Sequence, residues 1–193
     1  VEGKKLGQGE TRQVKLQSKG GAVIFGTFSL ETIKCNKVVS ESMIIEGRGN
    51  QQGQGKGLIN FSSCQANMGG CPLFPESIVT HQLKTHLVIN NQNKQTKYAE
   101  LFEPTQGTTL YEVHFTSPCP PTSIPVTGSM AAEILPIETE TKEMLLNFPS
   151  EPITKVTEEQ QEITVGAFAK GKVVKAQMGL IQTSSSAFGV YGE

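Results

Sequence analysis

The stretch Ser77-Ile78-Val79-Thr80-His81-Gln82-Leu83-Lys84-Thr85-His86-Leu87-Val88-Ile89-Asn90 decides the fold class. It holds no glycine or proline, and Val79, His81, Leu83, Leu87 and Ile89 recur with the period of two that puts them on one face of a strand. Working outward, shorter runs of the same kind alternate with turn residues. Toward the N-terminus, residues 11–17 alternate with Val14 and Leu16 on one face, and Gly20-Gly21 follow as a turn. Residues 22–30 form a β-prone run broken by Gly26, and residues 32–35 and 37–46 read as two further strands. Residues 47–57 carry so many glycines that they read as a flexible hairpin tip, after which residues 58–62 return toward Cys64.

Toward the C-terminus, Asn90-Asn91-Gln92-Asn93 reads as a turn. Residues 98–103, 108–115, 123–134, 142–148, 161–168, 172–181 and 187–191 complete the strands. Helix signals are confined to a turn or two within residues 131–135 and 138–146, limited by Pro136 and Pro149, and to the Glu-rich segment between Pro149 and Ile163. The expectation is an all-β antiparallel sandwich or barrel with at most short helical turns.

With 193 residues the chain can bury a sizeable core. Hydrophobic residues at 36% and charged residues at 18% are too apolar for disorder and too polar for a membrane protein. A net charge of −1 gives no electrostatic footprint for nucleic acid or an anionic membrane. No apolar run approaches the ~20 residues of a spanning helix. The chain has no Trp, and every acidic residue is Glu, which excludes Asp-based calcium loops and Asp-containing triads. Because it starts at Val1 without Met or signal sequence, it reads as a mature product from which a leader has been removed.

The four cysteines, Cys35, Cys64, Cys71 and Cys119, allow three pairings. Cys64 and Cys71 flank the flexible Asn67-Met68-Gly69-Gly70 and are expected to bond. That leaves Cys35 with Cys119, a long closure contributing roughly 4 kcal/mol in the chain-entropy model. There is no Cys-x-x-Cys pair, so zinc is disfavoured, and disulfides imply an extracellular compartment.

The order of motifs from about Gly20 onward resembles a group of secreted, β-rich proteins of unknown function from soil actinobacteria. The resemblance rests on Ile33-Lys34-Cys35, Phe61-Ser62-Ser63-Cys64, Cys71 before Glu76-Ser77-Ile78-Val79-Thr80-His81-Gln82-Leu83-Lys84, then Glu103-Pro104-Thr105-Gln106-Gly107-Thr108-Thr109-Leu110, Cys119 and Val126-Thr127-Gly128-Ser129-Met130. It implies export and a compact disulfide-bonded β domain. It implies no activity, and it leaves the stretch before Thr11 unexplained.

Motifs for catalysis or cofactors are weak. Gly128-Ser129-Met130 lacks the second glycine of a nucleophile elbow. His81 and His86 differ in strand parity, and His114 lies opposite an apolar face, so no chelating pair is expected. Gly53-Gln54-Gly55-Lys56-Gly57 lacks the spacing and the hydroxyl of a phosphate loop. The Glu-rich segments 138–143 and 158–162 read as solvated charge, and Glu100 and Glu103 differ in parity while nothing fixes Glu112 beside them. Asn60-Phe61-Ser62 is a glycosylation sequon, a pattern that arises readily by chance. The expectation is a protein that is not an enzyme and has no metal or cofactor.

The first ten residues hold three glycines and few apolar side chains, so they need the chain's own body or a neighbour to order them. Residues 1–18 therefore read as an arm ahead of a single β domain, residues 19–193. Within the arm, Thr11, Arg12, Gln13, Val14, Lys15 and Leu16 form a candidate donor strand with Val14 and Leu16 as anchors. The first expectation is that it is donated to another copy and builds a head-to-tail extracellular filament or pilus-like homopolymer. Paired in its own domain, it would belong to a monomeric secreted binding or adhesion domain. Residues 187–191 are the alternative donor.

Overall fold

In a computed structural model of the chain, the described residues are 6–19, 23–27, 32–48, 51–67, 70–92, 95–119, 122–136, 141–148, 163–166 and 169–182. Among them the regular structure is entirely strand, and every pairing is antiparallel. The strands are β1 (Thr11–Ser18), β2 (Val23–Thr27), β3 (Thr32–Arg48), β4 (Gln51–Gly57), β5 (Asn60–Asn67), β6 (Ser77–Val79) and β7 (Leu83–Gln92). They continue with β8 (Gln95–Pro104), β9 (Thr109–Phe115), β10 (Thr122–Gly128), β11 (Met130–Leu135), β12 (Glu143–Phe148), β13 (Ile163–Val165) and β14 (Ala169–Gln182).

The pairings resolve into an up-and-down barrel of two tiers. In the upper tier, β1, β3, β4, β7, β8, β11, β12 and β14 bond each to the next, and β14 bonds back to β1. In the lower tier, β2, β3, β5, β6, β9, β10, β13 and β14 follow in the same cyclic order, with β14 bonded back to β2. The step from β6 to β9 is made by the isolated bridges Thr80↔Tyr111 and Leu73↔Phe115. His81 N donates to Leu110 O at 2.7 Å, and Phe74 N donates to His114 O at 3.0 Å, on the same seam. The described residues thus make eight successive passes. β3 and β14 run through both tiers, and the other passes are broken between them, as at Leu58-Ile59 and His81-Gln82. Closure of this kind removes the free edges that an open sheet would present.

The breaks let each tier turn its apolar face inward. Ile78 and Thr80 point in below the break, Val79 is 51% exposed, and Leu83 and Thr85 point in above it. The single face expected for Val79, His81, Leu83, Leu87 and Ile89 is corrected accordingly: parity changes at His81-Gln82, so Val79 and His81 face out. On β3 the inward series Val38 and Ser40 gives way to Met43 at a register shift opposite Val14 and Leu16, a bulge that adds twist where the strand changes tier. One continuous core runs through both tiers, from Phe61, Tyr111 and Val126 to Leu16, Phe102 and Met144.

Other expectations are also corrected. Residues 32–46, read as two strands, are part of one strand, β3. The glycine-rich tip is strand β4, paired to β3 and β7. Its glycines admit close neighbours: a Cβ on Gly57 would lie 2.5 Å from Met43 Cγ, and one on Gly55 2.5 Å from Thr85 Oγ1. Residues 123–134 split into β10 and β11 at Gly128, whose φ is 115°. The helical turns expected within 131–135 and 138–146 are absent among the described residues, where 131–135 and 143–146 are strand. The Gly20-Gly21 turn, the segment between Pro149 and Ile163 as far as Glu162, and residues 187–191 lie outside the described residues.

The disulfide pairing is corrected too. Cys35 bonds to Cys64, its direct cross-strand partner in β3 and β5, and Cys71 bonds to Cys119. Cys64 cannot turn back to Cys71 because it points into the core from within β5, held by the positive φ of Ser63 (52°). Cys71 instead lies beside the Leu73↔Phe115 bridge, which brings it to the loop carrying Cys119.

Candidate functional site

β1 lies between β3 and β14, and both of its edges are bonded within the chain. Thr11, Gln13 and Lys15 face outward, Arg12 is half-buried, and Val14 and Leu16 are fully buried in the upper tier. The segment before it folds over Gly47: Gly9 N donates to Gly47 O, and Gly47 N donates to Glu10 O, both at 2.9 Å. A Cβ on Gly47 would lie 2.5 Å from Leu6 O, so only glycine lets that turn close down. Among the described residues, the strand read as a donor is a wall of its own barrel.

Two places carry chemistry. The first is on the outside of the lower tier. β9 turns Glu112 and His114 outward, opposite Pro125 and Ser123 respectively on β10. Ser123 Oγ donates to Glu112 Oε2 at 2.6 Å, and His114 Nε2 lies 3.9 Å from the same oxygen. These are triad residue types in the wrong order of contact, since activation of a serine needs the imidazole on its hydroxyl. Phe74, 68% exposed, joins the strand backbone at His114, and the Thr80↔Tyr111 bridge sets exposed Val79 level with Glu112. Asn60 pairs with Val79 on the other side, and Leu58, also exposed, precedes it. Aromatic and aliphatic groups are thus gathered around a small polar centre on a rigid sheet.

The second place is inside the upper tier. Tyr98, Glu100 and Phe102 share the inward face of β8. Glu100 stands opposite Leu87 on β7 and Ala132 on β11. Loss of hydration inside the barrel pushes its pKa up to about 7, and the nearby Thr85 hydroxyl offsets this in part. Thr85 Oγ1 is buried and completes no hydrogen bond, so it lies near the carboxyl without closing onto it. Glu103, of opposite parity, faces out between Lys84 and His86, with Oε2 3.6 Å from Lys84 Nζ and from His86 Nδ1.

Sequence reasoning separated Glu100 from Glu103 but missed that Glu100 points inward. The signal was present, because Glu100 alternates with Tyr98 and Phe102. His81 is exposed in the break after β6, and His86 and His114 sit on different strands. Among the described residues, no three His, Cys or Glu side chains gather as a metal site. No helix among them is long and apolar enough to cross a membrane. Comparison with known family models, with curated proteins and with solved structures finds no match.

Proposed function

We propose that the chain is an extracellular, non-catalytic binding or adhesion domain that acts as a single copy through the outer face of its barrel. The observation that carries this is the closure of the barrel by β1, whose two edges and two anchors are all used within the chain. A donated strand needs an open groove to enter, and a closed barrel offers none. Two disulfides fit folding in an oxidising compartment, and the resemblance to exported β-rich proteins points the same way. The surface around Phe74, Val79, Glu112 and His114 supports recognition: it joins exposed apolar area to polar groups held on rigid strands. The outward Ser123, bonded to a carboxylate instead of an imidazole, supports a role without catalysis.

Sedimentation velocity of the full chain over a wide concentration range tests the reading. A single species near 20.8 kDa is expected. Large, heat-resistant assemblies would return the filament to first place, with the alternative donor at residues 187–191 as the segment to delete.

A further inference from the structure

We propose that the Cys71–Cys119 bridge is a thiol-exchange site, and that its reduction by a small dithiol opens the barrel along the seam between β6 and β9. The release itself does not depend on the outer-face reading, although what it regulates does. Local opening starts where a structure has the fewest backbone bonds and buried contacts. Among the described residues, every other step of either tier is a run of three or more paired residues. The step from β6 to β9 is two separate bridges, Leu73↔Phe115 and Thr80↔Tyr111. From one bridge to the other the chain advances seven residues on the β6 side and four on β9, so Phe74-Pro75-Glu76 bow out of the ladder, and all three are exposed.

The end of this seam is tied covalently. Phe74 N donates to His114 O at 3.0 Å, Thr116 N donates to Pro72 O at 3.2 Å, and Cys119 N donates to Thr116 O at 3.2 Å. The Cys71–Cys119 bridge crosses from the β6 side to the β9 side just beyond these bonds. Both of its cysteines are half-buried, and Gly70, Pro72, Ser117 and Pro118 beside them are exposed. Exchange needs a line of approach to a sulfur, and here the folded chain supplies one. Cys35 and Cys64, 0% and 1% exposed, lie within the β3–β5 ladder, so a reagent reaches them only after those strands part.

In the exchange, a thiolate of the dithiol attacks one sulfur of the bridge, forming a mixed disulfide and expelling the other cysteine as a thiolate. The second thiol of the reagent then displaces the remaining cysteine. The reagent leaves as a cyclic disulfide, and the protein gains two electrons and two protons as the Cys71 and Cys119 thiols. The hydrogen bonds of Phe74, His81 and Thr116, with the burial of Leu73 and Phe115, then hold the seam without a covalent tie. Phe74 rides on the β6 side and His114 on the β9 side, so release uncouples the apolar part of the outer face from its polar centre. Reduction thereby loosens a recognition surface that the oxidised chain holds rigid.

The test treats the full, unaltered chain with dithiothreitol for increasing times, caps free thiols with iodoacetamide, and reads each cysteine-bearing peptide by mass spectrometry. Cys71 and Cys119 should be labelled at least about 100-fold faster than Cys35 and Cys64. Hydrogen exchange on the chain with only this bridge reduced and capped then reads the seam. The amides of Phe74, His81 and Thr116 should exchange about tenfold faster or more, while those of β1 and β12 keep their rates. Neither readout uses a ligand, so a failure here is separate from a failure of the outer-face reading. The proposal is overturned if the two bridges are reduced together, if Cys35–Cys64 is reduced first, if the seam amides keep their protection, or if protection is lost evenly over the barrel.

Discussion

Glu100 is one carboxyl set among apolar side chains, and the free energy of its ionisation is felt by the whole barrel. Its pKa stands near 7 in the fold against 4.5 for the ordinary group, because burial disfavours the charged form. Between those values the folded chain binds more protons than the unfolded one, so stability falls as pH rises from about 4.5 to 7 and then levels. Removing the charge should therefore stabilise the protein in alkali. Glu100→Gln is expected to match the native chain at pH 4 and to exceed it at pH 8 by roughly 2–3 kcal/mol, a figure reduced for the partial exposure of the group. Urea unfolding at the two pH values reads this directly, and parallel losses with pH in both proteins would show that Glu100 is not the group responsible. The residue was legible in part. Its alternation with Tyr98 and Phe102 marks an inward position, but the absence of a cation opposite it depends on Leu87 and Ala132, which come from other strands.

At the scale of the element, β4 shows how composition misleads and packing corrects. Gln51–Gly57 has little β propensity, since glycine gives up the most entropy on ordering. It is a strand because its neighbours need the missing side chains. Met43 lies over Gly57, and the Thr85 hydroxyl lies over Gly55. A Cβ on Gly57 would lie 3.0 Å from Met43 Cα, a backbone atom that cannot swing aside, whereas one on Gly53 meets nothing closer than 3.8 Å. Gly57→Ala should consequently cost about 1–3 kcal/mol by overpacking, and Gly53→Ala should be neutral or stabilise by up to about 1 kcal/mol through the unfolded chain. Thermal melts of the two variants decide the point, and equal effects would mean that β4 is not held by these close approaches. Where side chains alternate, as in β9, the strand was readable from sequence. Where an element exists because of what lies across from it, as in β4 or the parity change at His81-Gln82, single-segment patterns carried no trace of it. The disulfides failed for the same reason: nearness in sequence favoured Cys64 with Cys71, while strand register put Cys64 opposite Cys35.

The whole molecule turns on how the eight passes of the described residues close. Antiparallel neighbours in chain order need only turns, but closing the barrel requires the first pass to meet the last, β1 and β2 against β14. That contact spans nearly the full length of the chain, so no local pattern announces it, and a polar, glycine-led β1 reads as a loose arm. In the folded chain β1 shields the facing edges of β3 and β14 and seats Val14 and Leu16 in the core. Burial of those two side chains alone is worth roughly 3–6 kcal/mol, a large share of what a domain of this size has in hand. Deleting residues 1–18 should therefore do more than detach an appendage. It should leave two bare strand edges and an opened core, and the truncated chain should lose its cooperative melt and aggregate. A synthetic peptide of residues 11–18, added during refolding, should restore a soluble species with the native circular dichroism, since the groove left behind is formed by the pairing partners of that sequence on β3 and β14. If the truncated chain instead stays monomeric and melts within a few degrees of the intact protein, β1 is dispensable to the body, and an arm free to join another copy becomes the better account of it.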